Sequence, residues 1–136
     1  MSVAVLDASA LLALLQDEPG AERVEDALAR GAVMSAVNWA ETLSRLAEFG
    51  VTPESAAGRL HAGASGEAAL AVAPFDAVQA RDVARFRQPT RHLKLSLGDR
   101  ACLALGRAAG LPVLTTDRAW REAGKRLKVR VEVIRL

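Results

Sequence analysis

The chain has 136 residues, of which 51% are hydrophobic and 4% aromatic, so we expect one domain over residues 1–136 with a core of small aliphatic side chains. Its only cysteine, Cys102, lies in an apolar run, which predicts a buried thiol in a reducing cytoplasm and excludes an intramolecular disulfide. No apolar run approaches the roughly 18 residues of a membrane span, so no membrane partner is expected.

The formal net charge of +2 combines two unequal parts of the chain. Residues 1–80 hold four arginines against eleven acids, whereas residues 81–136 hold fourteen Lys and Arg against five acids. A basic second part of this kind indicates a polyanion as partner.

The first part of the chain alternates apolar runs typical of buried strands with runs of helical periodicity. In chain order we predict a strand over residues 3–6, helices over 8–16 and 21–30, a strand over 32–35, a helix over 36–49 and a strand over 70–73. The helix over 36–49 is predicted to bury one stripe, made of Val37, Ala40, Leu43 and Ala47. A further helix starts with Thr52 as its cap and fades through Gly63 and Gly66.

In the second part, Asp76 is predicted to cap a helix that reaches Arg87. A basic loop over residues 88–95 follows, and Ser96 caps a helix that reaches Ala109. The pattern ends with a strand over 112–115, a short helix after 117 and a strand over 129–134. Strands separated by helices predict an α/β fold whose mainly parallel sheet is covered on both faces.

Four acids stand in settings that favour a metal site, namely Asp7, Glu41, Asp99 and Asp117. Asp7 and Asp117 follow strands, at the edge where parallel sheets bind ligands. Carboxylates that converge raise each other's pKa unless a cation neutralises them, and a hard divalent cation prefers oxygen ligands. The pattern therefore predicts a Mg²⁺ or Mn²⁺ site for phosphodiester hydrolysis, with hydroxyls of Ser9 and Thr115 that orient the acids.

Each acid also has a simpler interpretation, which stays open at this point. Asp7 and Asp117 stand at helix starts and could serve as N-caps. Asp99 could be the acid of a shortened capping box, and Glu41 could pair with Arg45 on an exposed helix face. The two hydroxyls could likewise cap local backbone groups.

Other chemistries have weaker support. His61 and His92 are far apart and lack a supporting motif, which disfavours a metal-independent acid–base ribonuclease. No glycine-rich phosphate loop is present. A receiver-like signalling domain would need an acid directly after its third strand, whereas Pro74 and Phe75 intervene before Asp76.

Four segments, taken together and in this order, resemble the PIN-domain nucleases and most of all the VapC toxins of bacterial toxin–antitoxin pairs. They are Val-Leu-Asp-Ala-Ser-Ala-Leu-Leu-Ala near residue 7, Trp-Ala-Glu ending at 41, Leu-Ser-Leu-Gly-Asp-Arg around 99 and Leu-Thr-Thr-Asp-Arg-Ala-Trp around 117. The resemblance extends from Val3 to about Val133.

The resemblance implies a three-layer α/β/α fold with a central parallel sheet of four or five strands. It implies that Asp7, Glu41, Asp99 and Asp117 hold one or two Mg²⁺ or Mn²⁺ ions and that the protein cleaves RNA. It also implies a homodimer and a VapB-like antitoxin whose C-terminal segment plugs the cleft. The alternative is a non-catalytic PIN module that binds RNA or protein.

Two binding surfaces follow as expectations. Candidates for contact with RNA phosphates are Arg85, Arg87, Arg91, Lys94, Arg100 and Arg118. An inhibitor would offer an arginine to the acids and an amphipathic helix to a groove of the first two helices. Candidates for that groove, unless they are ordinary core residues, are Leu11, Leu14, Leu15, Val24 and Leu28.

Overall fold

The fold is seen in a computed structural model that describes residues 1–61 and 70–135. Its strands are β1 (Ala4–Leu6), β2 (Ala32–Ser35), β3 (Leu70–Ala73), β4 (Val113–Thr115) and β5 (Val131–Val133). They form one sheet in the order β3-β2-β1-β4-β5, and every neighbouring pair is parallel. The prediction of an α/β fold with a parallel sheet of four or five strands is therefore confirmed.

Seven α-helices are connected with these strands in the described residues. They are α1 (Ala8–Leu15), α2 (Ala21–Arg30), α3 (Ala36–Ala47), α4 (Pro53–His61), α5 (Ala77–Arg87), α6 (Leu97–Ala109) and α7 (Trp120–Leu127). Among these helices none has the length and apolar character that crossing a bilayer requires.

Alternate side chains of the central strands point to two separate cores, as the period of a strand requires. Leu6 and Leu114 pack with helices α1 and α2 on one face of the sheet. Val5 and Val113 pack with α5, α6 and α7 on the other face. The result is the three-layer α/β/α arrangement predicted above.

The strand order creates a switch point between β1 and β4. From β1 the chain builds outward through β2 to β3, then returns to the other side of β1 to add β4 and β5. Connections at such a point diverge and leave a crevice beyond the carboxyl ends of the two strands. Asp7 directly follows β1 and Thr115 ends β4, so both lie at this crevice.

Most predicted elements match the structure to within two residues, but the prediction of a basic loop over residues 88–95 is wrong. A short 3₁₀ segment occupies Gln88–Leu93 and continues directly from α5. The buried hydroxyl of Thr90 donates to the Phe86 carbonyl at 2.6 Å, which holds this segment against the helix end. The predicted fading of α4 through Gly63 and Gly66 lies outside the described residues.

The predicted buried stripe of α3 is also wrong. Ala40 and Ala47 are exposed, and the helix instead buries Asn38, Thr42 and Leu46. Both polar side chains make hydrogen bonds where they are buried, although Asn38 Oδ1 accepts none from the described residues. The Thr42 hydroxyl donates to the backbone carbonyl of Asn38 at 2.9 Å. The side-chain amide of Asn38 donates to the carbonyl of Gly98 in α6.

Candidate active site at the carboxyl end of the sheet

Asp7 is the most deeply placed of the four acids, with 5% of its surface exposed. Its Oδ1 accepts hydrogen bonds from the Ala10 amide and from the Ser9 hydroxyl, both at 2.7 Å. Its Oδ2 accepts from the Thr115 hydroxyl at 2.6 Å. Asp7 is thus the N-cap of α1, and it is also bonded to the end of a neighbouring strand.

The surroundings of Asp7 act on its charge in opposite directions. Burial raises the pKa of Asp7 from 3.8 to about 6, and the nearby negative charge of Asp99 adds to the increase. Hydrogen bonds from Thr115, Ala10 and Ser9 lower the pKa and so oppose this effect. The carboxyl group is therefore kept ionisable near neutral pH, and no cation among the described residues pairs with it.

Thr115 and Ser9 also connect Asp7 to the loop that carries Asp117. The Thr115 hydroxyl accepts from the amide of Asp117 at 3.1 Å, and the Ser9 hydroxyl accepts from the amide of Thr116 at the same distance. Asp117 itself is exposed, and its Oδ1 accepts from the Ala119 amide at 2.9 Å. It caps a turn before α7 rather than the helix itself.

Asp99 occupies the first turn of α6 and takes part in the expected capping box. The Ser96 hydroxyl accepts from the Asp99 amide at 3.1 Å, and Asp99 Oδ2 accepts from the Ser96 amide at 3.0 Å. Positive backbone groups at a helix start favour an ionised carboxylate there. The other oxygen, Oδ1, accepts no hydrogen bond from the described residues.

Glu41 does not pair with Arg45, whose guanidinium instead lies 4.0 Å from Glu48. Glu41 Oε1 accepts from the Asn38 amide at 2.8 Å, and the same Asn38 nitrogen donates to the carbonyl of Gly98 at 3.0 Å. A Cβ atom on Gly98 would lie 2.5 Å from both Glu41 oxygens. The Glu41 carboxylate therefore lies directly against the start of α6, one residue from Asp99.

Three of the acids lie near enough to the buried thiol of Cys102 to act on its charge. The pKa of the Cys102 thiol is raised well above its usual value, first by burial and then by the charges of Asp7, Asp99 and Glu41. Within the described ranges, none of the four acids forms an ion pair with Lys, Arg or His. The site is thus a region of uncompensated negative charge.

The acids do not close into a coordination cage in this conformation. Among residues 1–61 and 70–135, no three His, Cys, Asp or Glu side chains lie close enough together to hold a metal ion. Both oxygens of Asp7 and one oxygen of Asp99 are instead engaged by protein donors. The donor set itself, carboxylates with hydroxyls behind them, consists of the hard oxygen ligands that Mg²⁺ and Mn²⁺ prefer.

An open groove of about 1010 Å³ leads away from Glu41 between α1 and α3. Its apolar lining includes Leu12, Val37 and Ala40. The groove predicted from the first two helices is different, because Leu11, Val24 and Leu28 are buried core residues and Leu14 and Leu15 pack against that core. The interpretation of these five leucine and valine side chains as ordinary core is therefore the correct one.

A family model for the PIN domain matches residues 4–126 of this sequence. The chain belongs to the PIN domain family. The match extends over all four acids and over four of the five strands. A search of curated proteins found no match.

Solved structures of low sequence identity share the same PIN fold. FitAcB from Neisseria gonorrhoeae is 20% identical, with a TM-score of 0.69 over 95% of this chain and 96% of that chain. DNA-bound VapBC from Salmonella typhimurium is 17% identical, with a TM-score of 0.69 over 97% and 98%. A toxin–antitoxin complex from Klebsiella pneumoniae is 17% identical, with a TM-score of 0.65 over 86% and 89%.

Two residues of this PIN domain's site were missed by sequence reasoning. Asn38 and Gly98 join Glu41 to the start of α6, although neither is charged. A signal was present, because Asn38 stands three residues before Glu41 and Gly98 stands beside Asp99. Only the fold shows that these two short segments, 60 residues apart, touch.

The cationic residues predicted to contact RNA differ in their exposure and in their partners. Arg87, Arg91, Lys94 and Arg118 are exposed, whereas Arg85 pairs with Asp82 at 3.0 Å. Arg100 is buried, and its Nη1 donates to the Val83 carbonyl at 3.0 Å, so it connects α6 to α5. His92 pairs with Glu122 on α7.

The raised pKa of Asp7 predicts a pH-dependent loss of stability in the metal-free protein. A folded-state pKa of about 6 against 3.8 favours the protonated carboxyl, so this contribution is complete below pH 3.8 and is lost as the pH rises to about 6. Relative to Asp7→Asn, the wild-type free energy of unfolding should fall by about 3 kcal/mol over this range. Urea denaturation in EDTA from pH 4 to pH 7 measures the difference.

Asp76→Asn is the matched control, because Asp76 also caps a helix with its carboxylate but at an exposed position. A difference between wild type and Asp7→Asn that stays constant from pH 4 to pH 7 would contradict the prediction.

Proposed function

We propose that this PIN domain is a metal-dependent endoribonuclease that uses Mg²⁺ or Mn²⁺ to hydrolyse RNA phosphodiesters, and that it is the toxin of a toxin–antitoxin pair. The observation that carries the nuclease proposal is the uncompensated group of acids around Asp7 at the switch point of the sheet. A purely structural carboxylate at this depth would be expected to have a cationic partner.

The residues present fit a hard divalent cation. Asp7 and Asp99 are the primary candidates to hold it, with Asp117 and Glu41 completing its oxygen ligands directly or through water. When bound, such an ion lowers the pKa of a water molecule and neutralises charge on the phosphate.

Ser9 and Thr115 position Asp7 for this role. Their hydroxyls donate to both of its oxygens, at 2.7 Å from Ser9 to Oδ1 and 2.6 Å from Thr115 to Oδ2, and so favour the ionised form. The same two hydroxyls hold the backbone that carries Asp117. The support behind the acid is thereby built into β4 and α1 before any ligand arrives.

Glu41 is an exposed acid that lines the groove. Its Oε1 is occupied by Asn38, which leaves Oε2 to accept a hydrogen bond from the attacking water. Gly98 makes this arrangement possible, because its missing side chain leaves room for the Glu41 carboxylate.

RNA cleavage should disappear in EDTA and return when Mg²⁺ or Mn²⁺ is added. Asp99→Asn retains an oxygen for the capping box but loses the charge, so its cleavage rate should fall by more than the roughly 10- to 100-fold typical of residues that only support a ligand. Asp76→Asn, which makes the same change at an unrelated helix cap, should cleave at the wild-type rate. Wild-type activity in excess chelator, or in Asp99→Asn, would refute the assignment; RNA binding without cleavage would favour the non-catalytic module.

Gly98→Ala should displace the Glu41 carboxylate while leaving the stability of the fold nearly unchanged. The added Cβ displaces only the flexible end of Glu41, so the free energy of unfolding should change by less than about 1 kcal/mol, while cleavage should fall roughly 10- to 100-fold. Gly58→Ala is the control, because in the described part of the chain no atom beyond its own stretch of helix lies within 4 Å of a Cβ there, and the position is exposed in α4. Equal cleavage rates in the two variants would argue against a role for the Glu41 carboxylate.

An antitoxin is the proposed partner, and the groove between α1 and α3 is its proposed site. The solved structures with this fold include toxin–antitoxin complexes. The groove joins an apolar lining at Leu12, Val37 and Ala40 to the acid Glu41. It therefore suits an amphipathic helix that ends in an arginine, which pairs with carboxylates in a bidentate manner.

Expression of this chain alone should arrest growth of its host, and co-expression of the neighbouring gene should relieve the arrest. Asp7→Ala should abolish the arrest, because it removes the central acid. Ala40→Arg should keep the arrest but resist relief, whereas Ala47→Arg should behave like wild type, since both alanines are exposed on α3 and only Ala40 lines the groove. Normal growth with soluble, RNA-cleaving protein would remove the toxin proposal and leave the nuclease.

A further inference from the structure

A second, smaller cavity of about 290 Å³ lies where α5, the 3₁₀ segment and the start of α6 meet. Four of the six residues that line it are cationic. The lining consists of Arg87, Thr90, Arg91, Lys94, Leu95 and Arg100. We call this cavity the basic pocket.

Arg100 forms the wall of the basic pocket and is only 8% exposed. Its Nη1 donates to the Val83 carbonyl, but its Nε is buried and has no hydrogen-bond partner among the described residues. A buried donor on a charged group is unfavourable unless an acceptor reaches it. The pocket is therefore lined by a guanidinium that α5 holds in place, and the described residues leave its Nε unused.

The other cations of the basic pocket also lack acidic partners. Among the described residues, Arg87, Arg91, Lys94 and Arg100 form no ion pair. The neighbouring Arg85, in contrast, forms an ion pair with Asp82. The positive charge of the pocket is thus left for a ligand.

The backbone around the basic pocket is held in one shape. The Thr90 hydroxyl is committed to the Phe86 carbonyl, and Lys94 has a left-handed backbone with a φ of +54°. The Lys94 amide donates to the carbonyl of Arg91 at 3.4 Å, which closes the turn. This backbone places the cationic side chains around one small cavity, where a compact, multiply charged anion can contact several of them at once.

We propose that the basic pocket binds one phosphate group of the RNA strand, at a position other than the bond that is cut. The inference rests on the proposed nuclease function for its choice of ligand. Arginine matches the oxygen geometry of phosphate, and phosphate contacts fix the register of a nucleic acid on a protein.

The place of the pocket supports this assignment. Arg100 directly follows Asp99 in the first turn of α6, so one helix start carries an acid of the catalytic site and the wall of the pocket. Successive side chains of a helix point about 100° apart, which directs the two groups to different sides of the same turn. A strand that crosses this helix start reaches both sites.

The test compares two double variants with equal loss of charge. Arg91→Gln with Lys94→Gln removes two exposed cations of the pocket and leaves the buried Arg100 in place. Arg121→Gln with Lys125→Gln removes one Arg and one Lys from the exposed face of α7. Fluorescence anisotropy measures binding of a 5′-labelled single-stranded oligoribonucleotide in EDTA, where cleavage is blocked.

The pocket variant should bind about tenfold more weakly than wild type, and the slope of log K against log salt should become shallower by about one. The α7 variant should change affinity less than twofold. Oligonucleotides in which one phosphate at a time is replaced by a neutral methylphosphonate locate the contact. Wild type should be sensitive at one position where the pocket variant is insensitive.

Equal losses in the two double variants, or no position whose sensitivity disappears in the pocket variant, overturn the proposal while leaving the nuclease intact. Pocket-dependent binding by a wild type that never cuts RNA with Mg²⁺ supports the pocket and refutes the nuclease. A wild type that binds no RNA overturns the pocket as a site for RNA phosphate.

Discussion

The buried carboxylate of Asp7 is the constraint on which the rest of the site depends. Burial of an ionised group is costly unless other groups compensate for it, and the compensation that the described residues provide consists of hydrogen bonds from Ala10, Ser9 and Thr115. These donors come from α1 and β4, so the acid also ties the first helix to a neighbouring strand. The switch point of the sheet is what brings these two elements together beyond the end of β1.

Capping and site formation are not competing roles for these acids. Asp7 caps α1 and Asp99 closes a capping box on α6, yet both contribute to the negative charge that raises the pKa of Cys102. A helix start provides amides that keep a carboxylate ionised and fix its direction. The local role of each acid therefore prepares it for the proposed metal site, where a ligand must be charged and positioned in advance.

The capping interactions of Asp7 and Asp99 could be predicted from the sequence because their signals are local. Asp7 and its cap partner are three residues apart, and Ser96 and Asp99 have the same spacing. The contact of Asn38 with Gly98 could not be predicted, because it joins residues 60 positions apart through a packing of α3 on α6 that periodicity does not encode. The same packing explains the wrong stripe on α3, since Asn38, whose side-chain nitrogen donates to Glu41 and to Gly98, is buried where apolar residues were expected.

Residues of opposite charge lie side by side at the start of α6. Asp99 lies near enough to Asp7 to raise its pKa, whereas Arg100, the next residue, lines the basic pocket. A site made of acids alone would repel the polyanion that it is proposed to cut, and cations alone would bind it without a place for metal. Two adjacent residues of opposite charge, directed apart by the helix, meet both requirements within one turn. The start of α6 thus connects the proposed catalytic site with the proposed binding of an RNA phosphate. A displacement of α6 would disturb both.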